Sequence, residues 1–145
     1  MNARKVLFPS DFSECSESPL EEAASLALDT GAKLIILHVV EDEARYEDHG
    51  YGGFPVIDDE AHLNDELEQV TPSDSRVSYE HRLMHGDPAA TILRLADDEQ
   101  VDFIVMGTHG RRGMMRFLMG SVAEDVVRHA KCPVLTVKQS QHAFH

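Results

Sequence analysis

The residues best suited to chemistry form a glycine-punctuated segment in the last third of the chain. An apolar run at 103–106 leads into Gly-Thr-His-Gly at 107–110, and Gly120 and Ser121 follow after nine further residues. Glycines let a backbone turn tightly and approach a ligand with no side chain in the way. Free N–H groups at the start of a helix carry partial positive charge and face anions. The segment therefore predicts a strand, a phosphate-binding loop and a helix start, which together indicate a nucleotide ligand.

The predicted helix start carries a capping pattern. Ser121 is followed three residues later by Glu124, the arrangement in which a Ser at the N-cap and a Glu at the third position satisfy backbone N–H groups. The Ser121 hydroxyl is suited to this cap and to a phosphate contact, and the two roles are compatible. The glycine spacing matches neither G-x-G-x-x-G nor G-x-x-x-x-G-K-[ST], so neither of these common nucleotide motifs is present.

Length and composition bound the function. A chain of 145 residues suits a single domain, 1–145, and a net charge of −13 argues against a nucleic-acid partner. Its apolar runs are too short to span a membrane, and no apolar leader or cysteine framework is present, so we expect a cytoplasmic protein. Arg111, Arg112 and Arg116 make the glycine segment locally basic. Local charge matters most here, because salt screens the interaction between charges that are more than about 8 Å apart.

Apolar runs alternate with helical patterns along the chain. Strands are predicted at 6–8, 34–40, 77–84, 103–106 and 133–137, and helices at about 18–30, 61–70, 87–99 and 122–130. Ser18 and Asp87 are predicted N-caps, Gly31 ends the first helix, and 41–58 reads as a polar loop. The alternation predicts an α/β protein with a parallel sheet and helices on both faces. Ligands of such sheets bind beyond the carboxyl ends of the strands, at the topological switch point.

The sequence resembles the universal stress protein family over nearly its whole length. The resemblance rests on Pro-Ser-Asp-Phe-Ser at 9–13, Leu-His-Val at 37–39, the glycine segment with 120–124, and Lys-Cys-Pro-Val-Leu at 131–135. The intact spacing G-x2-G-x9-G-[ST] marks the ATP-binding branch of that family. The resemblance implies a doubly wound five-stranded parallel sheet of order 3-2-1-4-5. It also implies a nucleotide-binding homodimer that acts in stress response or signalling.

The resemblance also implies roles for individual residues. Asp11 matches the acidic group that bonds the ribose hydroxyls, although an Asp after a strand can also simply cap a turn. Pro9 and Ser10 line the base, the backbone at Val39 reads the adenine, and Met106 packs near the ring. The phosphate contacts, made mainly through backbone N–H groups, fall on Gly107, His109, Gly110, Gly120, Ser121 and Val122.

The leading functional hypothesis is a regulator that binds an adenine nucleotide, ATP or else AMP or ADP. A Mg²⁺ ion bridging the phosphates is compatible with it, because Mg²⁺ keeps several waters and needs few protein ligands. No protein metal site and no catalytic residue are assigned, and at most weak ATP hydrolysis is expected. One alternative is a slow ATPase or nucleotide-transferring enzyme, for which His109 is the one candidate group near the γ-phosphate. The other is a partner-binding scaffold that carries no nucleotide.

The last strand predicts the oligomeric state. Residues 133–137 contain no charge and fall at a sheet edge in the order 3-2-1-4-5. Exposed apolar edges tend to aggregate unless they are covered or paired. A homodimer joined through this strand is therefore predicted, and a two-fold dimer is the commonest oligomer. The alternative is a monomer in which the tail at 139–145 folds back over the edge.

Overall fold

The chain folds into a parallel sheet with helices packed on both sides. The computed structural model describes residues 4–12, 17–41, 60–108 and 120–138. The strands are β1 (Lys5–Pro9), β2 (Lys33–Val40), β3 (Tyr79–His85), β4 (Phe103–Gly107) and β5 (Val134–Val137). The helices are α1 (Glu17–Thr30), α2 (Glu60–Glu68), α3 (Pro88–Asp98) and α4 (Ser121–His129). Each predicted strand and helix within these ranges is confirmed, with ends shifted by a residue or two. None of the described helices is long and apolar enough to cross a membrane.

The sheet has the order β3-β2-β1-β4-β5, as predicted, and all of its pairings are parallel. β1 is central: its Leu7 lies opposite Ile35 of β2 and Ile104 of β4. All three of these side chains are buried. The central strands are continuous apolar runs because helices cover both faces of a doubly wound sheet.

Two apolar clusters lie between the sheet and its helices, one on each face of the sheet. α1 and α2 cover one face, where Val6, Phe8, Ala23, Ala27, Leu34, Ile36, Leu67 and Val105 are buried. α3 and α4 cover the other face, where Leu7, Ile35, Leu37, Ile92, Leu95, Ile104, Ala123 and Val126 are buried. The chain moves from β1 to β3 in one direction and then returns to β4 and β5 in the other. Right-handed crossovers therefore place the two pairs of helices on opposite faces.

The helix ends agree with the predicted caps in two cases. Gly31 ends α1 with φ of +76°, a conformation that favours glycine. The Asp87 carboxylate accepts the Ala90 N–H at 2.9 Å and caps α3. The predicted Ser18 cap is wrong, because α1 already begins at Glu17. Pro19 is then in the first turn, where a missing N–H costs no intrahelical bond.

The two edge strands are protected differently. Along β3, Glu80 pairs with Lys33 at 2.8 Å and with Arg82 at 2.7 Å, and Arg82 reaches Glu99 at 3.2 Å. The hydrogen bond from Lys33 is the main reason that the pKa of Glu80 lies below its usual range, and Lys5 does the same for the pKa of Glu99. Charges at an edge oppose pairing with another chain. β5, by contrast, carries no charge over its four residues.

Candidate functional site

The candidate site lies at the carboxyl edge of the sheet, where the connections after β1 and β4 leave. These two strands are neighbours, but the chain departs from them in opposite directions across the sheet. That divergence is the topological switch point, which opens a crevice beyond the strand ends. Asp11 follows β1 and Val39 is near the end of β2, while Gly107 ends β4. The three predicted segments therefore end at adjacent positions along one edge.

Three polar contacts are centred on Ser10, and two of them hold the segment after β1 to β2. The Ser10 N–H donates to the Leu37 carbonyl oxygen at 2.7 Å, and the Ser10 hydroxyl accepts the Phe12 N–H at 3.2 Å. The Ser10 carbonyl oxygen accepts from His38 Nδ1 at 2.7 Å. A carbonyl oxygen can only accept, so Nδ1 of His38 carries a proton. Ser10 is consequently buried and fixed at the mouth of the crevice.

Phe12 adopts a conformation that is unusual for its type. Its φ is +66°, in the left-handed region, which costs a side-chain-bearing residue about 1–2 kcal/mol. Its ring stacks on the imidazole of His38, with 3.8 Å between ring centroids and 21° between ring planes. Asp11 lies between Ser10 and Phe12, so the contacts on both sides fix where its side chain leaves the backbone.

On the other side of the crevice, Thr108 ties the start of α4 to the sheet. Its N–H donates to the Val137 carbonyl oxygen at 3.1 Å, and its own carbonyl oxygen accepts the Gly120 N–H at 2.8 Å. The last described residue after β4 and the first before α4 are thus in direct contact. His109 and Gly110, which were predicted to contact phosphate, lie outside the described residues, as does the basic run at 111–116.

The start of α4 differs from the prediction in one respect. The N-cap is Gly120, with φ −63° and ψ 159° and no side-chain cap bond, so the predicted Ser121 cap is wrong. Ser121 is the first helical residue, and its side chain is exposed. Glycine is a favourable N-cap residue. Because the cap is Gly120, one residue before the predicted Ser121, the predicted capping box of Ser121 and Glu124 does not apply. The Ser121 hydroxyl is therefore not committed to a cap of this helix.

The free donors of α4 can be assigned from the hydrogen-bond ladder. The Glu124 N–H donates to the Gly120 carbonyl oxygen at 3.0 Å, which begins the intrahelical ladder. The N–H groups of Ser121, Val122 and Ala123 precede that bond and lack a partner within the helix. The Gly120 N–H is already used by Thr108. Ser121 and Val122 are thus the predicted phosphate residues whose N–H groups are best placed to face an anion.

The other predicted residues fall at the same edge but differ in exposure. Pro9 ends β1 opposite Leu37, and Gly107 ends β4 opposite Val137. Val39 is partly exposed near the end of β2. Met106 is buried in the apolar cluster beneath α3 and α4, and its predicted place near the ring stays a prediction.

Sequence reasoning missed three residues that organise the site, namely His38, Phe12 and Thr108. His38 is signalled by its polarity within the otherwise apolar run of β2. Thr108 carries no comparable signal. Its hydroxyl oxygen is buried and has no hydrogen-bond partner among the described residues. An unpaired buried hydroxyl costs free energy, so a native structure that keeps one calls for an explanation.

A second concavity lies at the opposite, amino edge of the sheet. This groove of about 560 Å³ lies between the ends of α3 and α4 and is lined by Arg94, Asp97, Asp102, His129, Lys131 and Cys132, among others. The carboxyl ends of both helices face it, and these carry partial negative charge. The helix dipoles therefore favour a phosphate at the start of α4 and not at this groove. In the described parts of the chain, no group of three or more His, Cys, Asp or Glu residues could hold a metal ion.

Comparison with known proteins identifies relatives along most of the chain. Residues 2–138 match the model of the Universal stress protein family. Universal stress protein MJ0577 of Methanocaldococcus jannaschii is 30% identical, with 94% of this chain and 95% of the relative covered. Its solved structure has a TM-score of 0.71 at 28% identity, covering 95% of this chain and 97% of that one.

Two further solved structures have the same fold. The universal stress protein UspA from Lactobacillus plantarum gives a TM-score of 0.76 at 26% identity, covering 94% of this chain and 99% of that chain. A universal stress protein in complex with cAMP gives a TM-score of 0.67 at 25% identity, covering 97% of this chain and all of the other. The similarity thus extends over the sheet and over both sides of the crevice.

The Thr108 hydroxyl, which has no partner among the described residues, generates a prediction about the ligand-free protein. Thr108→Val keeps the shape and removes the buried oxygen, so we expect the free energy of unfolding to rise by about 1 kcal/mol. Thr30→Val is the matched control, because the Thr30 hydroxyl donates to the Leu26 carbonyl oxygen at 2.8 Å. We expect that control to lose about 1 kcal/mol. Urea unfolding measures both changes, and an equal loss in the two variants would contradict the assignment.

Proposed function

The chain belongs to the universal stress protein family, and we propose that it is a regulator that binds ATP or a related adenine nucleotide in the crevice between the ends of β1 and β4. The observation that carries the proposal is the hydrogen bond from Gly120 N–H to the Thr108 carbonyl. It holds the N–H groups at the start of α4, which have no partner within the helix, beside the end of β4. A helix start in this position is a ready site for phosphate. The related protein in complex with cAMP supports an adenine nucleotide as the ligand class.

The residues around the crevice fit such a ligand. The N–H groups of Ser121 and Val122 would face the phosphates, the Asp11 carboxylate would accept the ribose hydroxyls, and the backbone at Val39 would meet the adenine. The buried Thr108 hydroxyl is a further polar group at the end of β4 that lacks a partner in the described structure. A Mg²⁺ ion could be held through the phosphates and its own waters, without a protein cage.

We assign a regulatory role in stress response or signalling, in the cytoplasm, rather than a metabolic reaction. Hydrolysis of ATP needs a group that orients water near the γ-phosphate. The sequence from 107 to 121 contains no Asp or Glu, and its one histidine is His109. The chain is therefore suited to holding a nucleotide, with hydrolysis slow or absent.

Substitution at the start of α4 tests the nucleotide site. Gly120 has an extended backbone that valine can also adopt, so Gly120→Val should fold while its side chain intrudes beside the free N–H groups. We expect ATP affinity, measured by calorimetry, to fall at least about tenfold, which is about 1.4 kcal/mol. Ala130→Val is the control, because Ala130 lies at the other end of α4 with a similar backbone, φ −67° and ψ 144°.

Ala130→Val should bind ATP as the wild type does. Unchanged ATP affinity in a folded Gly120→Val variant would contradict the proposed site. Phosphate release followed in the same samples tests the regulatory role, and turnover of many ATP per second by the pure protein would contradict it.

We also propose that two copies of the chain pair through β5. The Ile104 N–H donates to the Pro133 carbonyl oxygen, and the Thr108 N–H donates to the Val137 carbonyl oxygen. Every second residue of β5 therefore directs its backbone groups toward β4. The intervening residues, Val134 and Thr136, consequently turn their backbone groups toward the open edge. Leu135 is 43% exposed and β5 has no charge, which is the pattern of an edge that is completed by another strand.

Charge substitution at the two edges tests the dimer. Leu135→Asp places a charge in the proposed interface, so we expect its dimer dissociation constant to rise at least about tenfold. Tyr79→Asp is the matched control, since Tyr79 is 40% exposed on the other edge strand. Light scattering measures both, and the control should remain dimeric. A monomeric mass for the wild type at micromolar concentration would refute the pairing, as would equal effects of the two substitutions.

A further inference from the structure

His38 is a polar side chain in a strand that is otherwise built for burial. It follows the four buried residues Leu34–Leu37 of β2 and is itself only 9% exposed. A buried polar group is costly unless it is hydrogen-bonded. Its Nδ1–H donates to the carbonyl of Ser10, 28 positions earlier in the chain, at 2.7 Å. The imidazole therefore joins β2 to the segment that follows β1.

The same ring supports a strained residue on the other side of Asp11. Phe12 holds the left-handed conformation, with φ of +66°, and its ring stacks on His38 at a centroid distance of 3.8 Å. Strained backbone persists only where surrounding contacts determine it, and it tends to occur at functional sites. The stacking contact and the Ser10 hydroxyl that accepts the Phe12 N–H are two such contacts. Both residues that flank Asp11 are thus held by one imidazole.

We infer that His38 is a positioning residue that presents the Asp11 carboxylate to the ribose hydroxyls of the nucleotide, and so sets the preference for a ribose over a sugar without hydroxyls. The inference rests on the proposed function. His38 acts through the backbone on both sides of Asp11, and it needs no contact with the ligand itself. The imidazole contributes two separable properties, an N–H donor for Ser10 and a flat ring for Phe12.

Two substitutions separate these properties. His38→Phe keeps a ring to stack on Phe12 but has no donor for the Ser10 carbonyl. His38→Asn keeps a donor close to the position of Nδ1 but has no ring. His81→Phe is the matched control, because His81 also lies in a strand and contacts a backbone carbonyl, that of Val70, through Nε2 at 2.8 Å. It belongs to β3, which does not pair with β1.

The decisive readout compares ATP with 2′,3′-dideoxy-ATP, which lacks the hydroxyls that Asp11 would accept. We expect the wild type and His81→Phe to prefer ATP roughly tenfold or more, as hydrogen bonds to a charged group allow. His38→Phe should lose most of that preference while its affinity for the dideoxy nucleotide changes little. His38→Asn should retain part of it. The difference in affinity between ATP and the dideoxy nucleotide reports the Asp11 contact alone, because a general loss of structure would weaken the binding of both.

A second readout needs no ligand. In the wild type, ¹⁵N NMR of the imidazole should show the proton on Nδ1 of His38, and the Phe12 amide should exchange with solvent faster in His38→Phe and His38→Asn than in His81→Phe. The inference alone fails when the wild type prefers ATP but His38→Phe keeps that preference, or loses affinity equally for both nucleotides. An unprotonated Nδ1 also overturns it. A wild type that binds neither nucleotide overturns the proposed function and this inference together.

Discussion

The pairing of β1 with both β2 and β4 is the constraint on which the rest of the structure depends. Because β1 is central, the segment that follows it must leave the sheet between the ends of its two neighbours. On one side it meets β2, where Ser10 bonds to Leu37 and His38. On the other side lies the end of β4, to which Thr108 attaches the start of α4. The crevice is thus a consequence of strand order, and its walls are fixed by a few hydrogen bonds.

An acidic protein can hold an anion at such a place because the attraction is local. The net charge is −13, but charges farther away than about 8 Å are largely screened at physiological salt. In the proposed site, a phosphate would meet the N–H groups at the start of α4 that have no partner within the helix, with the helix dipole behind them. At the groove of the amino edge the helix dipoles have the reverse direction, since the carboxyl ends of α3 and α4 line it. Helix direction, more than net charge, therefore distinguishes the two ends of the sheet.

Much of this arrangement could be predicted from the sequence. Continuous apolar runs such as 34–37 specify strands covered on both faces, and strong end signals such as Asp87 and Gly31 specify where helices begin and end. Such signals are local, so each can be recognised from a short segment of the sequence. The helix start at Ser121 was misread because the neighbouring Gly120 takes the cap, and a pattern does not rank two adjacent candidates. The start at Ser18 was misread because α1 already begins at Glu17.

The rest depends on contacts between distant parts of the chain. His38 meets Ser10 across 28 positions, and the same residue is paired with Phe12 only because β2 lies beside β1. Nor does the sequence show that the Gly120 N–H is already bonded to Thr108, which shifts the anion-facing donors to the residues that follow. Strain at Phe12 and the burial of the Thr108 hydroxyl, which has no partner in the described part of the chain, are likewise properties of the assembled fold.

The most direct test of the central claim is an NMR titration of the ¹⁵N-labelled protein with ADP, which follows every backbone amide at once. Binding in the crevice should produce the largest shifts at residues 10–12, 39, 107–108 and 120–122, on both of its sides. Shifts concentrated instead around His129 to Cys132, in the groove at the amino edge, would contradict it, as would the absence of any saturable change.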